Sequence, residues 1–131
     1  MTDTAALPEL SQFSLVGRTV VVTGGNKGVG LGLAKGLAEA GANVAIWGRN
    51  GDDNDAAAEQ VAKHGGRVST SACEVTSPES VAEALARTKA DLGPVDTCFA
   101  VAGVNRFSPF LETSREEFAE AQPLAGARIT G

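Results

Sequence analysis

Residues 24–30 read GGNKGVG and combine four glycines with an asparagine and a lysine. Glycine has no Cβ atom and adopts positive φ, so a turn rich in glycine lets a phosphate group approach the backbone. The N–H groups at the start of a following helix can then donate hydrogen bonds to the anion. The segment therefore predicts a phosphate-binding turn, and the alternative is a tight turn that holds no ligand.

A strand and a helix must flank this turn to position it. Residues 18–23 contain three consecutive valines, a β-branched run typical of a strand buried on both faces of a parallel sheet. After the turn, Leu33 and Leu37 form one apolar face of a helix that extends to about residue 40. Gly32 and Gly36 would each cost that helix about 1 kcal/mol relative to alanine. We therefore expect them to allow a close approach of the backbone, most simply to the sheet.

Further strands and helices alternate along the chain. We predict strands at residues 43–47, 67–73 and 95–101, and helices at residues 52–63, from about 77 to 92, and from Thr113. This alternation predicts βαβ units in an α/β fold, a Rossmann-like parallel sheet flanked by helices and truncated to about four strands. Right-handed crossovers give the strand order 3-2-1-4, with a crevice between strands one and four, where the order reverses.

The start of the third helix has two interpretations. Thr76 and Glu79 have the spacing of a capping box. Alternatively, Ser77 caps the helix and Pro78 takes its first position, where the missing N–H group costs nothing.

Composition and charge exclude several classes of function. The chain has 131 residues, room for one domain, and its net charge of −5 without a lysine or arginine run argues against nucleic-acid binding. We expect no membrane association, because no apolar stretch approaches the roughly 18 residues that span a bilayer and the acidic start is not a secretory signal. One histidine, two cysteines and no CxxC motif leave no metal site. We expect Cys73 and Cys98 to be reduced thiols buried in strands of a cytoplasmic protein.

Three segments together resemble the classical short-chain dehydrogenases/reductases. Residues 23–30, TGGNKGVG, match the TGxxxGxG fingerprint of that family, in the required position between a strand and a helix. Residues 73–76, CEVT, are similar to its C-D-V-T segment, with Glu74 in the place of the aspartate. Residues 96–103, DTCFAVAG, are similar to its fourth strand and N-N-A-G motif. The resemblance extends over residues 13–118.

The N-N-A-G likeness is partial, because Val101 stands where the family commonly has asparagine, whereas Ala102 and Gly103 match. The resemblance implies an oxidoreductase that binds a dinucleotide and moves a hydride between the nicotinamide and a carbonyl or alcohol carbon. The glycines of the turn would hold the diphosphate, Glu74 and Val75 would surround the adenine, and residues 102 and 103 would lie against the nicotinamide-side ribose. The residues assigned to cofactor binding are Gly24, Asn26, Lys27, Gly28, Val29, Gly30, Arg49, Glu74, Val75, Ala102 and Gly103.

The residues near the end of the second strand favour NADP(H), with NAD as the alternative. An NAD-selective site of this family usually ends that strand with a carboxylate that binds the ribose 2′-OH, but here the position is Gly48. Lys27 and Arg49 are two cations that would attract a 2′-phosphate. Against this, Asp52 and Asp53 lie close enough in sequence to repel it.

The proton-transfer group of the family is absent from this sequence. The resemblance implies a tyrosine in a Y-x-x-x-K motif, with a serine and an asparagine, yet the chain contains no tyrosine. Ser108, Ser114 and His64 have no apparent partner base, so we assign no catalytic residue. Because the likeness ends before residue 119, we hypothesise a truncated or frameshifted coding sequence that is inactive as an isolated chain.

These interpretations divide the chain into a leader at residues 1–16, an incomplete dinucleotide-binding domain at 17–118 and an irregular tail at 119–131. Strand four would then form an exposed apolar edge, which predicts marginal stability and self-association. Trp47 is expected to pack on the sheet rather than stack on adenine. The alternatives to an oxidoreductase are a non-catalytic nucleotide-binding module and an inactive fragment. A small carbonyl or alcohol substrate would bind only if a carboxyl-terminal half completed the site.

Overall fold

The computed structural model describes residues 13–102, which form a parallel sheet with helices on both faces. The elements in chain order are β1 (Thr19–Thr23), α1 (Gly28–Glu39), β2 (Asn43–Gly48), α2 (Gly51–Ala62), β3 (Val68–Ala72), α3 (Pro78–Leu92) and β4 (Thr97–Ala100). Apart from the start of α1, which lies at Gly28 inside the predicted turn, their bounds lie within two residues of those predicted from the sequence. The predicted helix from Thr113, the tail at residues 119–131 and most of the leader lie outside the described residues.

Strand β1 pairs in parallel with β2 on one side and with β4 on the other. Strand β3 pairs with β2, which gives the order β3-β2-β1-β4. The predicted α/β fold and its strand order are therefore confirmed. From β1 the chain adds β2 and then β3 on one side of β1, and it later adds β4 on the opposite side of β1. The strand order therefore reverses between β1 and β4.

Successive residues of the central strands pack against different helices. Val22 and Ile46 belong to an apolar cluster with residues of α1 and α2. Val21 and Trp47 belong to a second cluster, which includes Leu85 and other residues of α3. The sheet is thus covered by α1 and α2 on one face and by α3 on the other, as the valine run of β1 predicts.

The prediction that Gly32 and Gly36 allow a close approach to the sheet is wrong. Both glycines are exposed on α1, and apart from the neighbouring backbone of the helix itself, no heavy atom of the described residues lies within 4 Å of the place where a Cβ atom would stand. The sheet lies against the opposite side of the helix, where Ala34 and Leu37 are buried. Close packing within residues 13–102 therefore does not explain these two glycines.

The burial prediction for the cysteines is confirmed for Cys73 and wrong for Cys98. Cys73 follows β3 and is 3% exposed, whereas Cys98 is exposed. Cys98 lies in β4, whose four residues are all exposed and which pairs with β1 alone among the described strands. The apolar run favours burial, whereas the predicted strand order already places this strand at an edge of the sheet, and the edge position determines the exposure.

Helix α3 begins as the second interpretation predicts. The Oγ atom of Ser77 accepts a hydrogen bond from the N–H group of Ser80, and Pro78 occupies the first turn. Thr76 instead donates its hydroxyl to the Glu74 carboxylate at 3.0 Å. In residues 13–102, no helix has the length and apolar character needed to cross a membrane.

Trp47 is held in the sheet by packing and by one buried hydrogen bond. The side chain is 1% exposed, and its Nε1–H donates to Oγ1 of Thr88 on α3 at 3.0 Å. The Thr88 hydroxyl donates in turn to the carbonyl of Ala84 at 2.9 Å. The prediction that Trp47 packs on the sheet is therefore confirmed, because its indole is buried between the sheet and α3.

Replacing Thr88 tests this contact. Thr88→Val preserves the shape of the side chain but leaves the buried indole N–H without an acceptor, which should lower the free energy of unfolding by about 1–3 kcal/mol. Thr88→Ser keeps the hydroxyl and should lose less. Chemical denaturation of both variants measures the difference, and equal losses would contradict a stabilising role for the hydrogen bond.

Candidate functional site

The glycine-rich turn joins β1 to α1 at the edge of the sheet where the strands end. The N–H group of Gly24 donates to the carbonyl of Trp47 at 2.8 Å, which fixes the turn to the end of β2. The hydroxyl of Thr23 accepts from the N–H groups of Val101 and Ala102 at 3.0 and 3.2 Å. One threonine therefore joins β1 to the segment that leaves β4, across the point where the strand order reverses.

At Gly30, the start of helix α1 packs against the backbone of Gly24 in the glycine-rich turn. A Cβ atom at residue 30 would overlap the carbonyl oxygen of Gly24 and stand 2.7 Å from its carbonyl carbon. Gly30 is buried, so the backbone approach leaves no space for a side chain. Only glycine allows the helix to begin this close to the strand end.

The amino end of α1 differs from those of the other two helices. Asn50 caps α2 and Ser77 caps α3 by accepting a backbone N–H, and both helices carry acidic residues in their first turns. At α1, the N-cap is Lys27, whose side chain makes no capping hydrogen bond within the described structure, and the first turn holds no acid. The first N–H groups of α1 therefore face a region suited to an anion.

A cleft of about 850 Å³ opens at this edge of the sheet. It extends from the glycine turn past the ends of β2 and β3 to the segment after β4. The residues that line it are Gly24, Asn26, Lys27, Gly28, Val29, Gly30, Trp47, Gly48, Arg49, Asn50, Asp53, Cys73, Glu74, Val75, Val101 and Ala102.

The sequence-predicted site residues that lie in residues 13–102 all line this cleft. Gly103 falls outside the described residues. Asn50 and Cys73 were missed: Asn50 looks like an ordinary helix cap, and Cys73 like an ordinary core residue. A signal was present, since each directly adjoins a predicted site residue at the end of a strand.

Each of the two cleft cations forms an ion pair. Lys27 Nζ lies 2.9 Å from Asp53 Oδ2, and Arg49 Nη1 lies 3.9 Å from Glu74 Oε2. The Lys27 and Arg49 side chains are 72% and 71% exposed, so each pair contributes at most about 1 kcal/mol to stability. A bound phosphate can therefore compete with the carboxylates for these cations at little cost.

Cys73 borders the cleft as a neutral thiol. Burial raises the pKa of this thiol above its ordinary value, and the charge of Glu74 raises it further, while a hydrogen bond with Ser80 acts in the opposite direction. Because a thiolate rather than a thiol is the nucleophile, Cys73 is not activated for covalent chemistry. Residues 13–102 also contain no group of three histidine, cysteine or acidic side chains that could hold a metal ion.

The residues of the cleft fit a dinucleotide. The glycine turn provides backbone without Cβ atoms, the amino end of α1 provides N–H donors, and two exposed cations lie beyond the end of β2. His64 does not line this cleft; it lies just after α2 and is half-buried.

Comparison with known proteins agrees with this geometry. The family model described as short chain dehydrogenase matches residues 18–122. Gluconate 5-dehydrogenase from Gluconobacter oxydans is 40% identical over 106 residues, which cover 81% of this chain and 41% of the relative. The chain thus spans less than half the length of that relative.

Solved structures of similar proteins contain either form of the cofactor. L-sorbose reductase from Gluconobacter frateurii, solved with NADPH and L-sorbose, has a TM-score of 0.75 at 28% identity over 89% of this chain and 46% of the other. An NAD⁺-bound xylitol dehydrogenase has a TM-score of 0.75 at 29% identity over 84% of this chain and 43% of the other.

The contrast between Gly30 and Gly32 provides a matched test of the turn. Gly30→Ala places a Cβ atom against the Gly24 carbonyl and should lower the free energy of unfolding by about 1–3 kcal/mol. Gly32→Ala, in open space on the same helix, should raise it by about 0.5–1 kcal/mol. Chemical denaturation measures both, and a neutral or stabilising Gly30→Ala would contradict the close approach.

Proposed function

The chain belongs to the short chain dehydrogenase family, and from this membership we propose that it forms the cofactor-binding part of an NADP(H)-dependent oxidoreductase. The reaction would move a hydride between the nicotinamide ring and the carbonyl or alcohol carbon of a small substrate. When bound, the nicotinamide supplies the hydride chemistry, and the described residues bind and orient the dinucleotide.

The observation that carries the proposal is the glycine turn at the reversal of strand order. Gly30 allows α1 to begin against the carbonyl of Gly24, and the amino end of α1 offers N–H donors without an acid in its first turn. Both features favour a diphosphate, whose charge interacts with the positive end of the helix dipole. Thr23 holds Ala102 next to this turn, where it would contact the ribose on the nicotinamide side.

The preference for NADP(H) rests on charge at the end of β2. Gly48 places no carboxylate where it would bind a ribose 2′-OH, while Lys27 and Arg49 are both exposed in the cleft. Asp53 and Glu74 now partner these cations. A 2′-phosphate carries more charge than one carboxylate, so we expect it to displace Asp53 from Lys27.

A non-catalytic nucleotide-binding module is the second candidate function. It is favoured by one observation: the sequence contains no tyrosine to donate or accept the substrate proton. In this case the protein would bind the dinucleotide without converting a substrate.

Self-association through the exposed edge of β4 also stays a prediction. A cytoplasmic location is a further prediction, and the two free cysteines favour it.

Titration with both reduced dinucleotides tests the proposed function. NADPH should bind with a dissociation constant about tenfold or more below that of NADH, since one charge-assisted contact is worth about 1.4 kcal/mol or more. Nicotinamide fluorescence measures both constants. Equal or tighter binding of NADH would refute the NADP(H) preference. Binding without NADPH oxidation across a panel of carbonyl compounds would favour the non-catalytic module.

Two neighbouring aspartates allow a matched test of the cation site. Asp53→Asn frees Lys27 and removes a negative charge from the cleft, so NADPH affinity should rise by about three- to tenfold with NADH affinity nearly unchanged. Asp52→Asn removes the same charge from the same first turn of α2, but Asp52 does not line the cleft, and it should have a smaller effect. A loss of NADH affinity in Asp53→Asn would instead indicate that Asp53 binds the ribose hydroxyl.

A further inference from the structure

The side chain of Asn54, in the first turn of α2, is a buried amide whose nitrogen and oxygen both form hydrogen bonds. It is 1% exposed, and its Nδ2 group donates to the carbonyls of Gly48 at 3.0 Å and Ser71 at 3.2 Å. Its Oδ1 atom accepts from Nδ2 of Asn26 at 2.8 Å. A single residue of α2 therefore links the ends of β2 and β3 to the glycine-rich turn.

The surroundings of Asn54 do not otherwise call for a polar residue. The buried face of α2 also carries Ala57 and Val61, which pack in the apolar cluster on this side of the sheet. Burying an amide costs free energy that its hydrogen bonds only just offset, so net stability gives little reason for an amide at this position. Because hydrogen bonds have a defined geometry, the amide fixes the ends of two strands and one side chain of the turn relative to each other.

Asn26 is the side chain of the turn that receives this contact. It is half-buried and lines the cleft, with Lys27 next to it in the chain. Gly24 is fixed to β2 through its backbone, whereas the contact with Asn54 ties the middle of the turn to α2. The turn is thereby held at two separate points before any ligand arrives.

We propose that Asn54 is a positioning residue for cofactor binding. Through Asn26 it holds residues 24–30 in the conformation that receives the diphosphate, and this inference rests on the function proposed above. A turn that is already ordered loses less conformational entropy on binding, so the contact raises affinity for the shared diphosphate of NADP(H) and NAD(H) alike.

The same contact affects which side chain can end β2. A Cβ atom at residue 48 would collide with the amide groups of both Asn26 and Asn54. The bridge between the two asparagines therefore occupies the place from which a side chain at residue 48 would emerge. A carboxylate for the ribose 2′-OH cannot be accommodated there while the bridge is intact, and this links the bridge to the proposed NADP(H) preference.

The test compares Asn54→Ala with Thr88→Val in the full chain. Both variants remove a buried polar contact, but Thr88 lies on α3, in contact with the opposite face of the sheet. Asn54→Ala should weaken binding of NADPH and NADH by about five- to tenfold each, and Thr88→Val should leave both dissociation constants unchanged. In the ligand-free protein, backbone hydrogen exchange of residues 24–30 should accelerate in Asn54→Ala and not in Thr88→Val.

Asn26→Ala removes the same hydrogen bond by changing the more exposed of its two residues. This variant replaces Asn54→Ala in the test if Asn54→Ala does not fold. The double variant should bind no more weakly than the weaker single variant, because both changes remove one shared contact. Asn54→Ala with normal affinity and normal exchange in the turn would overturn the proposal, as would effects that multiply in the double variant. Failure of the wild type to bind either dinucleotide would refute the proposed function, and the exchange comparison would still decide whether Asn54 holds the turn.

Discussion

Parallel pairing of β1 with a strand on each side determines where the site lies. The register places Thr23 beside Trp47 of β2 and beside Ala100 of β4, so the three strands end at one level. Because parallel strands run in the same direction, the segments that leave them gather at a single edge of the sheet. Shifting β1 by one residue would exchange the faces of its valines, so the two apolar clusters enforce the register on which the cleft depends. The hydroxyl of Thr23 then completes the edge by holding residues 101 and 102 near the turn.

The electrostatics of the cleft follow from the exposure of its charges. Lys27 and Arg49 are paired with Asp53 and Glu74, but all four side chains are at least a third exposed. Water screens such pairs strongly, so they stabilise the fold little and can exchange partners readily. The acids limit the attraction for anions in general, while the cations remain available to a ligand with higher charge. This arrangement favours selectivity for a phosphate over weaker anions more than it favours tight binding of any single anion.

The fold could be predicted from the sequence because its signals are local. Three valines followed by two glycines define the end of β1, and the spacing of later apolar residues defines each helix. The glycine turn could be recognised for the same reason, and so could Arg49, which follows a strand. Glu74 was assigned because residues 73–76 resemble a segment of the family. Contacts between distant segments could not be predicted: nothing near Asn26 in sequence indicates that Asn54 bonds to it, 28 residues away. The exposure of Cys98 is consistent with the predicted edge position of strand four, whereas the apolar residues around Cys98 indicate burial.

The two faces of the sheet hold the end of β2 in similar ways. Trp47 and Gly48 are consecutive, so their positions face opposite sides of the strand. On one side, Trp47 donates to Thr88 of α3, and on the other, the carbonyl of Gly48 accepts from Asn54 of α2. Apolar packing stabilises the fold without strong directional preference, whereas these hydrogen bonds have defined geometry. Of these two contacts, the one from α2 continues to the glycine-rich turn, since Asn54 also accepts a hydrogen bond from Asn26. We infer that the apolar clusters supply most of the stability and that Asn54, rather than Thr88, sets the geometry of the turn.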